Sequence, residues 1–375
     1  MLEFTTAGES HGKTYAVIIE GLPANVPILM SAIRLEMQKR QKDFGRGGRG
    51  EIEDDEVEII SGIKNNKTIG SPIALLIKNK DFKNWKNIIA PLTKPRPGHA
   101  DLAGMLKYGF KESRNVAERA SARETVARVA AGAIFKQFLS IFGIEIASHV
   151  VQIGRIRTNT NYSFDQIKKV YEKDPEMRCV DSKISAKMKE AVLEARKHKD
   201  TLGGTLEIQA INVPAGLGSY VSFQKRIDGQ IAQALMSIPS VKAVEIGNGI
   251  ENASKYGSEV HDIILRKNNG GFIRKTNNAG GIEGGITNGM PIVVRVYHKP
   301  IPTLYNPLDT IDVETGKISK ADIERSDVCV VPRAGAVSEG MLAYVIAKNF
   351  LEKFGGDNLD DVQIAYKSYI KRISL

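Results

Sequence analysis

Ionisable side chains that could do chemistry sit in four short stretches of the chain. In Ala7-Gly8-Glu9-Ser10-His11-Gly12 a Ser/His pair lies between glycines, joining two apolar runs at 2–6 and 15–20. Glycines let backbone amides approach a ligand, and a neighbouring hydroxyl and imidazole can exchange protons. The competing reading is an ordinary hairpin turn that leaves His11 exposed. A second turn, Lys94-Pro95-Arg96-Pro97-Gly98-His99-Ala100-Asp101, leads into Arg114 to Thr125, where Arg119 and Arg123 form an i,i+4 like-charge pair. Such a pair costs roughly 0.2–0.5 kcal/mol on a helix, so an anion between the two would explain it. Arginines snorkelling at the rim of a core helix, or paired with Glu118 and Glu124, explain it equally. Farther on, Asp327 lies between Arg325 and Arg333. It is either an ion-paired structural carboxylate or a proton handler whose pKa its neighbours set.

Two glycine-rich stretches bear on ligand approach. Arg40 to Gly50 carries Arg40, Arg46 and Arg49 among glycines, which suits a lid on an anionic ligand or a passive solvated loop. Residues 277–289 are the densest in glycine, but they precede a strand, the wrong order for a dinucleotide-binding unit. Bare backbone there still lets a flat ring or a phosphate lie against the chain. Lys299-Pro300-Ile301-Pro302-Thr303 follows, rigid and carrying one cation. Gly8 to Thr14 misses the phosphate-binding P-loop by one residue, and strand rather than helix is expected after it.

The elements that must position these groups follow from hydrophobic periodicity. Strands are expected at 2–6, 15–20, 51–60, 71–79, 144–156, 203–210, 241–246 and 291–297. Helices are expected at 32–42 with Ser31 as cap, 223–236, 335–354 and 359–373. Residues 126–139 are almost purely apolar and small, so the helix they continue must be core, with neighbouring backbone close by. Residues 158–200 read as a polar surface excursion with two amphipathic helices. Strands and helices mix without strict alternation, which points to α+β.

The chain has 375 residues, a formal net charge of +10 and 6% aromatic residues. Its basic residues are dispersed rather than in dense runs, which favours a small polyanionic ligand over nucleic acid. Cys179 and Cys329 are too few for a metal cluster and suggest a reducing compartment. No run approaches the roughly 20 apolar residues of a membrane span, and the start lacks signal-peptide features, so a cytoplasmic protein without membrane or metal is expected.

Six blocks in order resemble the chorismate synthase family. They are Gly8 to Gly12, the Arg40 to Arg49 loop, Arg96 to Asp101, Arg119 to Thr125, Asn278 to Gly281, and Arg325 to Arg333. The resemblance implies one domain over 1–375, a β-α-β sandwich with helices between antiparallel sheets, assembled as a homotetramer. It implies conversion of 5-enolpyruvylshikimate 3-phosphate to chorismate and phosphate, using reduced FMN without net redox change. His11 would protonate the departing phosphate, His99 would sit by the reduced flavin, and Ser10 with Asp327 would relay a proton at flavin N5. Flavin contacts would fall on Arg119, Ala120, Ser121, Pro239, Ser240, Gly284, Lys299, Pro300, Ile301, Pro302, Thr303 and Arg325. Arg40 and Arg46 match positions for NADPH or phosphate, which leaves NADPH open as reductant. Arg49, Arg123 and Arg333 are substrate candidates. Pro239 stands where relatives often carry Asn, and Glu283 puts a carboxylate in the glycine loop.

Overall fold

A computed structural model describes residues 1–374 except 46–54, 81, 83–90, 160, 267–269 and 325. The expected strand at 51–60 is therefore described only in its second half, and Arg46, Arg49 and Arg325 lie outside the described residues.

Two antiparallel sheets enclose a layer of helices. The first contains β1 (Glu3–Ala7), β2 (Thr14–Glu20), β3 (Val57–Ser61) and β4 (Ile73–Lys78), in spatial order β1-β2-β4-β3. Tyr15, Val17 and Ile19 on β2, with Ile73, Leu75 and Ile77 on β4, point inward. That is the period-two pattern of a sheet with one face packed on the core. The second sheet contains β5 (Glu145–Ile153), β6 (Ile156–Arg157), β7 (Gly204–Ile211), β8 (Val241–Ile246) and β9 (Ile292–His298), in order β8-β9-β7-β5-β6.

Between the sheets run α1 (Met30–Gln41), α4 (Thr125–Ser140) and α7 (Val331–Phe354). The shorter α2 (Asp101–Tyr108) and α3 (Arg114–Ala120) lead into α4; α5 (Ser182–Lys197) and α6 (Ile227–Met236) flank the second sheet, and α8 (Leu359–Ile373) closes the chain. α4 packs on β1, β2 and β4, α7 packs on β5 and β7, and α1, α4 and α7 pack on one another. The layered sandwich expected from the sequence is what forms.

α4 and α7 meet at glycine on glycine. A Cβ built on Gly132 would stand 2.4 Å from the Gly340 Cα. Backbone thus touches backbone, as the small residues of 126–139 predict. Phe138 and Phe142 extend the contact, with ring centroids 5.8 and 4.4 Å from Phe350.

Several boundaries differ from expectation. α1 starts at Met30, and no side chain of its own caps it; Leu29 instead donates its N–H to Gln137 Oε1 on α4 at 2.7 Å. α7 starts at Val331 because Pro332 falls in its first turn, where a missing N–H costs nothing. Residues 227–236 alone are α-helical in the 223–236 stretch; Phe223–Lys225 form a 3₁₀ turn. The helix continuous from Arg114 to Leu139 is broken at Ser121, which is extended (φ −63°, ψ 139°) and accepts the Arg123 N–H on its side chain. The polar stretch at 158–200 has an inner face: Met177, Cys179, Met188 and Val192 form a second apolar cluster with Val150, Leu206, Val328 and Cys329.

Gly132→Ala is expected to cost about 1–3 kcal/mol, the usual penalty of overpacking. Gly340→Ala, whose Cβ stands 3.2 Å from the Gly132 Cα, regains up to about 1 kcal/mol of helix propensity and should be much milder. Urea unfolding of both variants checks this; equal losses would contradict the crossing described.

Candidate active site

The glycine-flanked turn is folded onto α3. Gly8 adopts φ +125°, and a Cβ there would meet the Thr14 carbonyl at 2.8 Å. Ser10 donates its N–H to the Glu118 carbonyl at 2.9 Å, and His11 donates its N–H to Glu118 Oε2 at 2.8 Å. His11 Nδ1 lies 2.5 Å from Glu118 Oε1. An ionised carboxylate only accepts, so that contact puts a proton on Nδ1 and assigns proton exchange with a ligand to Nε2. Burial opposes the Glu118 charge, but hydrogen bonds from the His11 ring and backbone outweigh it and hold the carboxyl below its ordinary pKa. Asn79 donates to the Gly12 carbonyl at 2.9 Å from the other side. The exposed-hairpin reading of His11 fails. So does the P-loop, since the chain enters β2 at Thr14.

The second histidine is held the same way. Asp101 opens α2 and is 1% exposed. Its Oδ1 lies 2.5 Å from His99 Nδ1, and it accepts from Arg96 Nε at 2.8 Å, Nη2 at 3.0 Å and backbone N–H at 3.1 Å. Burial pushes the carboxyl up, yet hydrogen bonds from His99 and Arg96 prevail and hold it far below the carboxylate range. Arg96 in turn donates from Nη1 to Thr303 Oγ1 at 3.0 Å. This ties the His99 turn to the Lys299–Thr303 segment.

The break at Ser121 separates the i,i+4 pair. Arg119 turns back to β1 and donates to the Thr6 and Gly8 carbonyls at 3.0 and 3.1 Å. Arg123 turns inward and grips Asp55 through two bonds of 2.5 and 3.0 Å. Arg40 reaches the same carboxylate at 3.3 Å and Thr125 Oγ1 at 3.2 Å. Two buried guanidiniums thus share one buried carboxylate. Burial raises the Asp55 pKa, but Arg123 and Arg40 bring it below normal. The two arginines thus part, Arg119 to backbone carbonyls and Arg123 to Asp55, rather than pairing with Glu118 and Glu124.

The opposite wall is Ile238, Pro239 and Ser240 with the Lys299 segment. Ser240 sits at φ +73°, with its Oγ 2.9 Å from His298 Nδ1. Burial pushes the His298 pKa down to about 4, so the ring is neutral at pH 7. Lys299 Nζ donates to the Gly98 carbonyl, and no carboxylate among the described residues lies within ion-pair distance of it. Burial and the nearby Lys242 both lower its pKa. From α7, Arg333 pairs with Asp327 and stands 3.6 Å from Asp43. The ion-paired reading of Asp327 therefore describes its geometry.

These groups border one cavity of about 380 Å³. Ser10, His11, Arg40, His99, Ala120, Ser121, Arg123, Pro239, Ser240, Lys299, Ile301, Pro302, Thr303, Asp327 and Arg333 all line it. Arg119, Pro300 and Gly284 do not: Gly284 sits at φ +59° beside the short strand Ile282–Glu283. Glu283 is engaged by Arg274 at 2.6 and 3.0 Å, away from the cavity. Sequence reasoning offered Glu118 only as a partner for the arginines and assigned no role to Asp101, Asp55 or Arg96. Asp101 had a signal, two residues from His99; Asp55 and Glu118 had none, because their partners are remote in sequence.

A helix layer between antiparallel sheets thus opens on a cation-rich cavity flanked by two carboxylate-held histidines, the architecture of an enzyme for a small molecule. The profile of the chorismate synthase family matches residues 2–351. Chorismate synthases from Syntrophomonas wolfei and Aquifex aeolicus are 48% and 49% identical, over 100% and 99% of this chain and 98% of each relative. A crystal structure of a chorismate synthase superposes with a TM-score of 0.82 at 42% identity, covering 100% of this chain and 98% of that one. The chain belongs to the chorismate synthase family, lyases of aromatic biosynthesis.

Asp101→Asn should cost roughly 3 kcal/mol at pH 7, the scale of breaking a buried pair. The folded pKa of Asp101 is depressed, so its contribution is full above the unfolded value of about 3.9 and declines as pH falls below it. The gap between wild type and variant should therefore narrow from pH 7 to pH 3 in urea unfolding. A gap constant with pH would show that this carboxylate is not what titrates.

Proposed function

We propose that the cavity converts 5-enolpyruvylshikimate 3-phosphate to chorismate and phosphate with the aid of reduced FMN. The carrying observation is that two histidines, each fixed through Nδ1 by a carboxylate at 2.5 Å, border a cavity with an excess of cations. The substrate carries two carboxylates and a phosphate, groups that guanidinium forks bind through paired hydrogen bonds. Arg40 and Arg123, two cations on one Asp55, retain net positive charge for it, and Arg333 supplies a third fork.

The lining also fits a flavin. Ala117, Ala120, Ile238, Ile301 and Pro302 offer short apolar surfaces to a flat ring, and Lys299 lacks a carboxylate partner among the described residues, as a phosphate-binding cation should. Ala120, Ser121, Pro239, Ser240 and Lys299 to Thr303 would hold the cofactor, with Pro239 giving apolar or backbone contact only. Bound there, reduced flavin would supply transient electron density as phosphate leaves and would accept the C6 hydrogen, with no net redox change. His11 donates a proton from Nε2 to the departing phosphate while Glu118 stabilises the imidazolium. His99, braced by Asp101, places its Nε2 at the flavin side. Ser10 and Asp327 pass the proton abstracted at C6 away from the centre. Arg40 is buried and lines the cavity, so an NADPH contact there would be made from within it.

We also propose that the chain acts as one domain in a homotetramer. Tyr220, Val221 and Phe223 are 75–79% exposed, apolar surface of the kind that assembly covers. A cytoplasmic location is supported by two buried free cysteines, and no helix among the described residues is long and apolar enough to cross a membrane.

Anaerobic incubation with reduced FMN and 5-enolpyruvylshikimate 3-phosphate, followed by chorismate absorbance, tests the reading. Flavin-loaded, folded protein that makes no chorismate would refute it. His11→Ala should slow turnover roughly 10²–10⁴-fold with FMN affinity largely kept. Lys299→Ala should instead weaken FMN about 10- to 100-fold, the worth of one charge-assisted hydrogen bond; calorimetry separates the two effects.

A further inference from the structure

A second cavity of about 270 Å³ lies farther along the same three helices. Glu36 and Lys39 of α1, Lys136 of α4 and Glu339 of α7 border it. Its other walls are mostly apolar, including Leu35, Ala133 and Ile146.

The charges do not cancel. Lys136 stands 2.7 Å from Glu339 and 2.9 Å from Glu36, and Lys39 stands 2.7 Å from Glu36. Ser148 Oγ donates to the remaining Glu339 oxygen at 2.7 Å. The third cation, Arg178, is 2% exposed, and no carboxylate among the described residues lies within 4 Å of it. Among the described residues, only its Nη2 finds an acceptor, the Lys39 carbonyl, and Nε has none. Lys168 and Glu145, which pair with each other, also line the cavity, so four cations face three carboxylates. Burying a charge with no carboxylate in contact is costly, and burial does depress this guanidinium's pKa although Glu339 and Asp43 act against it. Arg178 also holds φ +57°, a region that non-glycine residues occupy at a cost and that clusters at ligand sites. Tyr171 stacks beside it, its ring centroid 5.4 Å from the guanidinium carbon.

We propose that this cavity binds a small monocarboxylate with an apolar body, its carboxylate on the Arg178 guanidinium and its body against the apolar walls. One negative charge balances the net +1. A phosphate dianion would overshoot it and leave the apolar walls unused. The volume falls just below the usual span of small-molecule pockets, which sets the ligand at about the size of phenylacetate.

Phenylacetate itself is the probe, titrated by calorimetry into the full chain. Saturable binding is expected, weakened tenfold or more in Arg178→Gln. Leu35 is 45% exposed at the rim, so Leu35→Glu should fold normally and also weaken binding at least tenfold by repulsion. Arg333→Ala, in the first cavity, should leave the affinity unchanged. No saturable binding at millimolar probe overturns the proposal. So does binding that Leu35→Glu spares and Arg333→Ala abolishes, which would place the probe in the first cavity.

Discussion

Repulsion among cations crowded around one cavity is the constraint that arranges this site. Two unit charges 4 Å apart repel by about 4 kcal/mol at an effective dielectric constant of 20. The fold answers with carboxylates set one layer behind the lining. Asp55 stands between Arg40 and Arg123, Asp101 between Arg96 and His99, and Glu118 behind His11. Each orients the groups it holds, and each comes from a different segment from the groups it serves or from the turn beside them.

The same pairs join the layers. Glu118 links the β1–β2 turn to α3, Arg96 links the His99 turn to Thr303, and Asp55 links α1 to the start of α4. Polar groups buried this deeply are satisfied in one geometry, so the site and the packing specify each other. The apolar second half of α4 supplies the rigid support for that geometry, with Gly132 and Gly340 in contact and the phenylalanine cluster beside them.

Local pattern made much of this legible. The strands at 15–20 and 203–210 and the helix at 359–373 announced themselves by periodicity, and the family blocks named most of the cavity lining. What escaped was long-range or contrary to a local rule. Nothing around Ser121 reads as a break, because the residues on both sides are good helix formers; tertiary demand on Arg123 overrides them. α2 was missed because Pro95, Pro97 and Gly98 read as turn, hiding the eight helical residues behind them. Asp55 and Glu118 could not be assigned from spacing, since Asp55 and Arg123 are 68 positions apart and Glu118 and His11 are 107 apart.

The glycine crossing has an electrostatic consequence as well as a steric one. α4 and α7 both begin at the cavity, through Thr125 and through Val330 to Ala334. Each helix therefore directs the positive end of its macrodipole, about half an elementary charge, toward the same space. α1, α3 and α6 end beside the cavity and partly offset this, with Arg40 and Arg119 in the last turns of α1 and α3 countering their negative ends. Part of the attraction for anions thus belongs to the backbone. It persists when any one side chain is neutralised, and no single substitution can remove it without dismantling the helical layer.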